Sequence, residues 1–96
     1  MSGRENWCDE DLDMIWARGR SVRGYDPLEW RKDVCGAWVS GREHGNRQSP
    51  YGWEVDHIDG NPENNALSNL RPVHWKNNAS GRCSVTSEHN RNVLAD

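Results

Sequence analysis

Asp56 and His57 stand side by side, Asn69 follows twelve residues after the histidine, and Asn78 comes nine residues after that. Those side-chain types are the parts of a hydrolytic site at phosphorus. An imidazole exchanges protons near neutral pH and so serves as a general base toward water. A carboxylate and an amide oxygen are hard ligands, which suit Mg²⁺ or Mn²⁺ better than a thiolate-loving metal. A cation held by them neutralises the charge that builds on a phosphorane and on its leaving oxygen. An Asp-His dipeptide alone is ordinary surface sequence. The ordered spacing to two asparagines is what gives it weight.

The surrounding residues predict how these groups are positioned. Trp53 to Ile58 alternates bulky and charged residues and reads as a strand that ends at the Asp-His pair. Successive residues of a regular strand point to opposite faces, so Asp56 and His57 cannot both reach one phosphate from it. The turn formers Asp59 to Asn65 are where that regularity would break. Leu67 to Val73 returns as a short extended segment that Pro72 confines to an edge. His74 to Gly81 has room for two helical turns, with Gly81 ending them.

Upstream, Asp9 to Arg18 predicts a helix with Asp9 as N-cap, acids in the first turn and Gly19 at C′. Leu12, Ile15 and Trp16 share one face, and Trp7 is placed to pack on the entry. Gly19 to Gly24 is a basic loop. Asp26 to Lys32 predicts a second short helix, with Asp26 capping and Pro27 at the first position. Val34 to Val39 reads as a strand, and Ser40 to Pro50 as a polar loop. The tail from Cys83 to Asp96 has little apolar content and no strong period, so partial disorder is the expectation there.

Taken together, the run Tyr51-Gly-Trp-Glu-Val-Asp-His57-Ile-Asp-Gly, then Ser68-Asn-Leu-Arg-Pro, then Asn77-Asn78, resembles the HNH endonuclease motif. The resemblance covers about Trp53 to Arg82, roughly a third of the chain. It implies an α+β fold: a small ββα-metal finger with N-terminal helices packed on it and a Trp-rich core. In outline, a helical extension (1–33) precedes a ββα-metal core (34–82) and a tail (83–96) in one domain of 96 residues. By the same resemblance His57 is the general base, Asp56 and Asn78 hold one divalent cation, and Asn69 ties the loop and orients the imidazole. Asn77 is the alternative ligand if the helix register shifts by one. Arg71, Lys76 and Arg82 are candidates for DNA phosphates. The products implied are a 5′-phosphate and a 3′-hydroxyl.

The chain departs from the family's common pattern in one respect. Many HNH proteins carry two Cys-x-x-Cys pairs, whereas the corresponding stretches here are Cys35-Gly-Ala-Trp38 and His74-Trp-Lys-Asn77. No structural zinc is expected, and packing of Trp38, Trp53 and Trp75 takes its place. Cys8 and Cys83 read as ordinary free thiols.

A chain of this length buries only roughly 60–65% of its unfolded surface, so the six tryptophans are read as core bulk in a domain that lacks phenylalanine. No basic-then-apolar leader and no apolar run long enough to span a membrane is visible, which predicts a reducing, cytoplasmic setting. Net charge is −3, against a protein that coats nucleic acid, but arginines and lysines concentrate between residues 17 and 53. The reading is a metal-dependent nuclease acting on DNA, double-stranded in the first instance, that nicks one strand with low sequence specificity as a monomer or homodimer. The alternatives are a catalytically weak HNH-fold DNA-binding or accessory subunit of a larger packaging or restriction complex, and a regulatory protein using its acidic Asp9–Asp13 helix. RNA stays open as a substrate.

Overall fold

The computed structural model describes residues 7–92, in which a three-stranded and then a two-stranded antiparallel sheet lie between two short helices along the chain. Helix α1 spans Asp9–Trp16, with Cys8 rather than Asp9 as N-cap. Asp9, Glu10 and Asp11 instead fill its first turn, where carboxylates face the positive end of the helix dipole. Strands β1 (Arg20–Ser21), β2 (Trp30–Lys32) and β3 (Trp38–Ser40) form one sheet in that order. Strands β4 (Trp53–His57) and β5 (Leu70–His74) form the second, with Trp53 opposite His74 and His57 opposite Leu70. Helix α2 (Trp75–Ser80) follows β5 directly.

The second N-terminal helix is not there. Asp26 does cap a turn, its Oδ1 accepting from Leu28 N and its carbonyl from Glu29 N and Trp30 N. A single turn is too short to repay helix nucleation, and Trp30 pairs with Ser40 in the sheet instead. The strand expected from Val34 starts only at Trp38, because Asp33, Val34, Cys35 and Gly36 (φ 83°) make the β2–β3 turn.

One core joins the elements. Ile15 and Trp16 from α1, Val39 from β3, Trp53 and Val55 from β4 and Leu70 from β5 form it, with Trp7 and Leu12 packed on its edge. Trp16 and Trp53 lie 5.3 Å apart between ring centroids. Gly52 is required where the loop enters β4, since a Cβ there would stand 1.9 Å from the Asn46 carbonyl oxygen.

Two expectations for the cysteines and the tail are corrected. Cys83 is no free thiol: it is joined to Cys35, 48 residues earlier, while Cys8 is free and exposed. Residues 83–92 lack regular structure yet are tied down. Val85 and Asn90 are buried, and Asn90 accepts from Trp38 N and donates to the Trp38 and Pro50 carbonyls. Residues 93–96 of that tail lie outside the described residues. No helix among the described residues is long and apolar enough to cross a membrane.

Candidate active site

The platform of the site is an anchored carboxylate. Asp33 is 3% exposed and receives four donors: Cys35 N and Ala37 N on Oδ1, His74 N and Asn77 Nδ2 on Oδ2. It therefore fixes the β2–β3 turn to the start of α2. His74 caps that helix, its Nδ1 accepting from Lys76 N, which leaves the proton on Nε2 to be donated to the Pro50 carbonyl. Burial pushes the His74 imidazole below its ordinary range, against the pull of the Pro50 carbonyl and the Asp33 charge. With His74 so engaged and Cys35 in a disulfide, neither of the remaining donors from the zinc positions serves a metal.

The two asparagines on α2 divide their roles. Asn77 is buried, its Nδ2 donating to Asp33 and to the Val85 carbonyl, and its Oδ1 accepting from Val85 N at 2.7 Å. Asn78 instead donates from Nδ2 to Glu54 Oε1 at 3.0 Å. Glu54 is buried on β4 and gripped by Arg47, which donates to both carboxylate oxygens at 2.6 and 2.9 Å. Burial works to raise the Glu54 carboxyl, but the hydrogen bonds from Arg47 and Asn78 and the charges of Arg47 and His44 outweigh it and hold it below the usual range. A carboxylate accepts only, so this contact fixes which end of the Asn78 amide faces Glu54 and leaves its oxygen for another partner.

Asp56 lies two residues beyond Glu54, on the same face of β4. It shares a cleft of about 190 Å³ with Asn77, Asn78, Arg71 and Arg82, whose rim includes the Cys35–Cys83 bond. Arg71 donates from Nε to Asp56 Oδ2 at 2.8 Å across the β4–β5 pair. Lys76 lies elsewhere, over the Trp75 ring and in a second cleft with Arg47 and His89. Among the described residues no three of His, Cys, Asp and Glu cluster to hold a metal.

His57 does not line the Asp56 cleft. At the end of β4 it meets Asn65 Oδ1 through Nε2 at 2.8 Å, with its ring 6.3 Å from that of Trp7. Asn69 is buried and fastens the intervening loop. Its Nδ2 donates to Asp59 Oδ1 and the Asn64 carbonyl, its Oδ1 accepts from Asp59 N, and its own carbonyl accepts from Ile58 N. Asp59 is spent on this loop: hydrogen bonds from Asn64, from Asn61 N and from Asn69 hold its carboxyl below the usual range. The sequence reading did not single out Asp33, Glu54 or Asn65. An acid two residues before Asp56 on the same strand face was the one local signal available, and it pointed to Glu54.

A family model described as HNH endonuclease matches residues 38–79. No curated protein and no solved structure matches the chain.

Proposed function

We propose that this chain, whose residues 38–79 match a family model described as HNH endonuclease, is a divalent-metal-dependent endonuclease. It hydrolyses DNA phosphodiester bonds, nicking one strand per site with low sequence specificity. The observation that carries this reading is the shared cleft of Asp56 and Asn78, with the amide of Asn78 turned by the Arg47–Glu54 pair. A carboxylate oxygen and an amide oxygen fit a hard cation such as Mg²⁺ or Mn²⁺ and do not fit a soft one. Bound there, the cation supplies neutralisation of charge on the phosphorane and the leaving oxygen.

The chain's own residues do the rest. With Asn65 Oδ1 accepting from Nε2, the lone pair of His57 resides on Nδ1, and that atom takes the proton from the attacking water. The water oxygen bonds to phosphorus, the P–O3′ bond breaks, the leaving O3′ takes a proton from solvent water, and the products are a 5′-phosphate and a 3′-hydroxyl. Asp56 and His57 face opposite ways, so the scissile phosphate lies across the end of β4, where the strand stops at His57. Asn69 acts through the loop it fastens, as a positioning residue. Arg71 and Arg82 at the cleft meet the flanking phosphate charge, whereas Lys76 sits too far round α2 to share it.

A second reading is favoured by two observations: His57 lies outside the cleft of Asp56, and Arg71 already pairs with that carboxylate. On that reading the fold binds DNA without cutting it, as an accessory module. Conversion of supercoiled plasmid to open circle separates the two. Wild-type protein should nick with Mg²⁺ or Mn²⁺ and not with EDTA, and His57→Ala should fall to background. Absence of nicking with every metal, alongside retained DNA binding, would establish the accessory module instead.

A further inference from the structure

A third cleft, of about 350 Å³, shares Arg71 with the Asp56 cleft and is walled by Arg18, Arg20, Lys32 and Arg71. Asp33 is the acid lining it, and its oxygens are consumed by four internal N–H donors. The cleft therefore presents four cations and no available carboxylate, in a chain whose net charge is −3. Such a local concentration is a field of its own, not a reflection of overall composition.

Arg20 and Lys32 are directly opposite one another in the antiparallel β1–β2 pair. Like charges at opposed positions destabilise a strand pair, and among the described residues neither meets a carboxylate in an ion pair. Opposed residues have Cβ atoms about 4.5–5.5 Å apart, close enough for both cations to hold a single phosphate. Lys32 Nζ is steadied 4.9 Å over the Trp38 ring, and Arg18 is rooted by its bonds to the Leu70 and Ser68 carbonyls. Arg71 and Val34 line this cleft and the Asp56 cleft alike, so the two adjoin at those residues.

We propose that this cleft carries the backbone of the DNA substrate away from the scissile phosphate. The strand leaves the Asp56 cleft past Arg71, and Arg20 and Lys32 together clamp one flanking phosphate on the three-stranded sheet. The assignment rests on the nuclease reading of the Asp56 cleft and adds to it the path of the substrate. No base edge is read, so the contact contributes affinity and register without sequence preference.

The test is fluorescence anisotropy of a labelled duplex in EDTA, over a series of salt concentrations, for wild type, Arg20→Gln/Lys32→Gln and Arg23→Gln. Each lost phosphate contact removes about 0.9 from the slope of log affinity against log salt. Because the pair holds one phosphate, the double variant should lose a slope of about 0.9 and bind roughly 10-fold more weakly at ordinary salt. The weakening should be equal on unrelated sequences. Arg23→Gln, exposed and outside the cleft, should match wild type. Thermal melting of the double variant should not fall, since a like-charge pair is removed. An unchanged slope in the double variant overturns the path and leaves the nuclease reading intact, provided wild type still nicks and His57→Ala does not. An equal loss in Arg23→Gln overturns it too, in favour of diffuse charge. Failure of wild type both to bind and to nick overturns path and nuclease reading together.

Discussion

Asp33→Asn is the most demanding test of how the site is held. The carboxylate takes two N–H donors on each oxygen, all between 2.8 and 3.0 Å. An asparagine of the same shape offers one oxygen and one NH₂. Whichever way it turns, two N–H groups then face a donor: either Cys35 N and Ala37 N, or His74 N and Asn77 Nδ2. Hydrogen bonds to a charged group contribute about 1.5–3 kcal/mol each. Losing two costs about 3–6 kcal/mol, against a total of about 5–14 kcal/mol for a domain of this length. At about 4–8 °C per kcal/mol for a domain this small, the melting temperature should drop by at least about 12 °C. The assay is thermal and urea unfolding followed by tryptophan fluorescence. Asp26→Asn is the control, because Asp26 accepts one exposed bond, from Leu28 N, that an asparagine oxygen replaces. Its change should stay within about 0.5 kcal/mol. If Asp33→Asn melts within about 3 °C of wild type, the four-donor anchor is not what fastens α2 to the β2–β3 turn.

Glu54→Gln removes the charge that engages Arg47 and loosens the orientation of Asn78, so metal-dependent nicking should fall about 10–100-fold. An unaffected rate would detach Glu54 from the site. His74 is held below its ordinary pKa in the folded state. Its contribution to stability is therefore complete above the unfolded value of 6.5 and is lost as pH falls below it toward the folded value. Melting temperatures compared between neutral pH and pH near 5 should fall more for wild type than for His74→Gln, and parallel curves would refute this. The Cys35–Cys83 bond closes a loop of 48 residues, for which chain entropy gives up to about 4 kcal/mol. Cys35→Ser/Cys83→Ser should lose about 2–4 kcal/mol by urea unfolding, and wild type should do the same on adding reductant. A loss in the variant with none on reduction would mean that the serines, rather than the open loop, are responsible.

The segment that matters most was legible because its signals are short-range. Alternation over 53–58, the turn formers at 59–65 and Gly81 as a stop placed β4 and α2 within a residue or two of where they lie. Asp26-Pro27 was misleading, since it signals the start of a helix and the start of a turn equally well. What decided between them was the partner strand β3, which begins eleven residues after Pro27. Asp33 looked like one surface charge among many, and its four partners lie between two and 44 residues away. The Cys35–Cys83 bond and the Arg47–Glu54–Asn78 chain are likewise contacts across the fold. Widely spaced cysteines in odd number carry no sign of which two will meet.

Two pairs of neighbours show how this small site is divided between structure and chemistry. On β4, alternation sends Asp56 into the cleft and His57 toward Asn65 and Trp7. On α2, the turn of about 100° per residue sends Asn77 inward to Asp33 and Val85, and Asn78 to Glu54 at the cleft. Swapping the order within either pair keeps the composition and destroys the arrangement. An amide at 77 alone would serve the anchor and leave Glu54 without its partner. One at 78 alone would leave Asp33 Oδ2 and both polar groups of Val85 short of theirs. The adjacent asparagines are thus complementary, not alternatives, and the same reasoning ties the anchor to function. Anything that loosens Asp33 moves the helix carrying Asn78, so on the proposed nuclease reading a stability defect there should also appear as weakened metal-dependent nicking at temperatures where the protein is still folded.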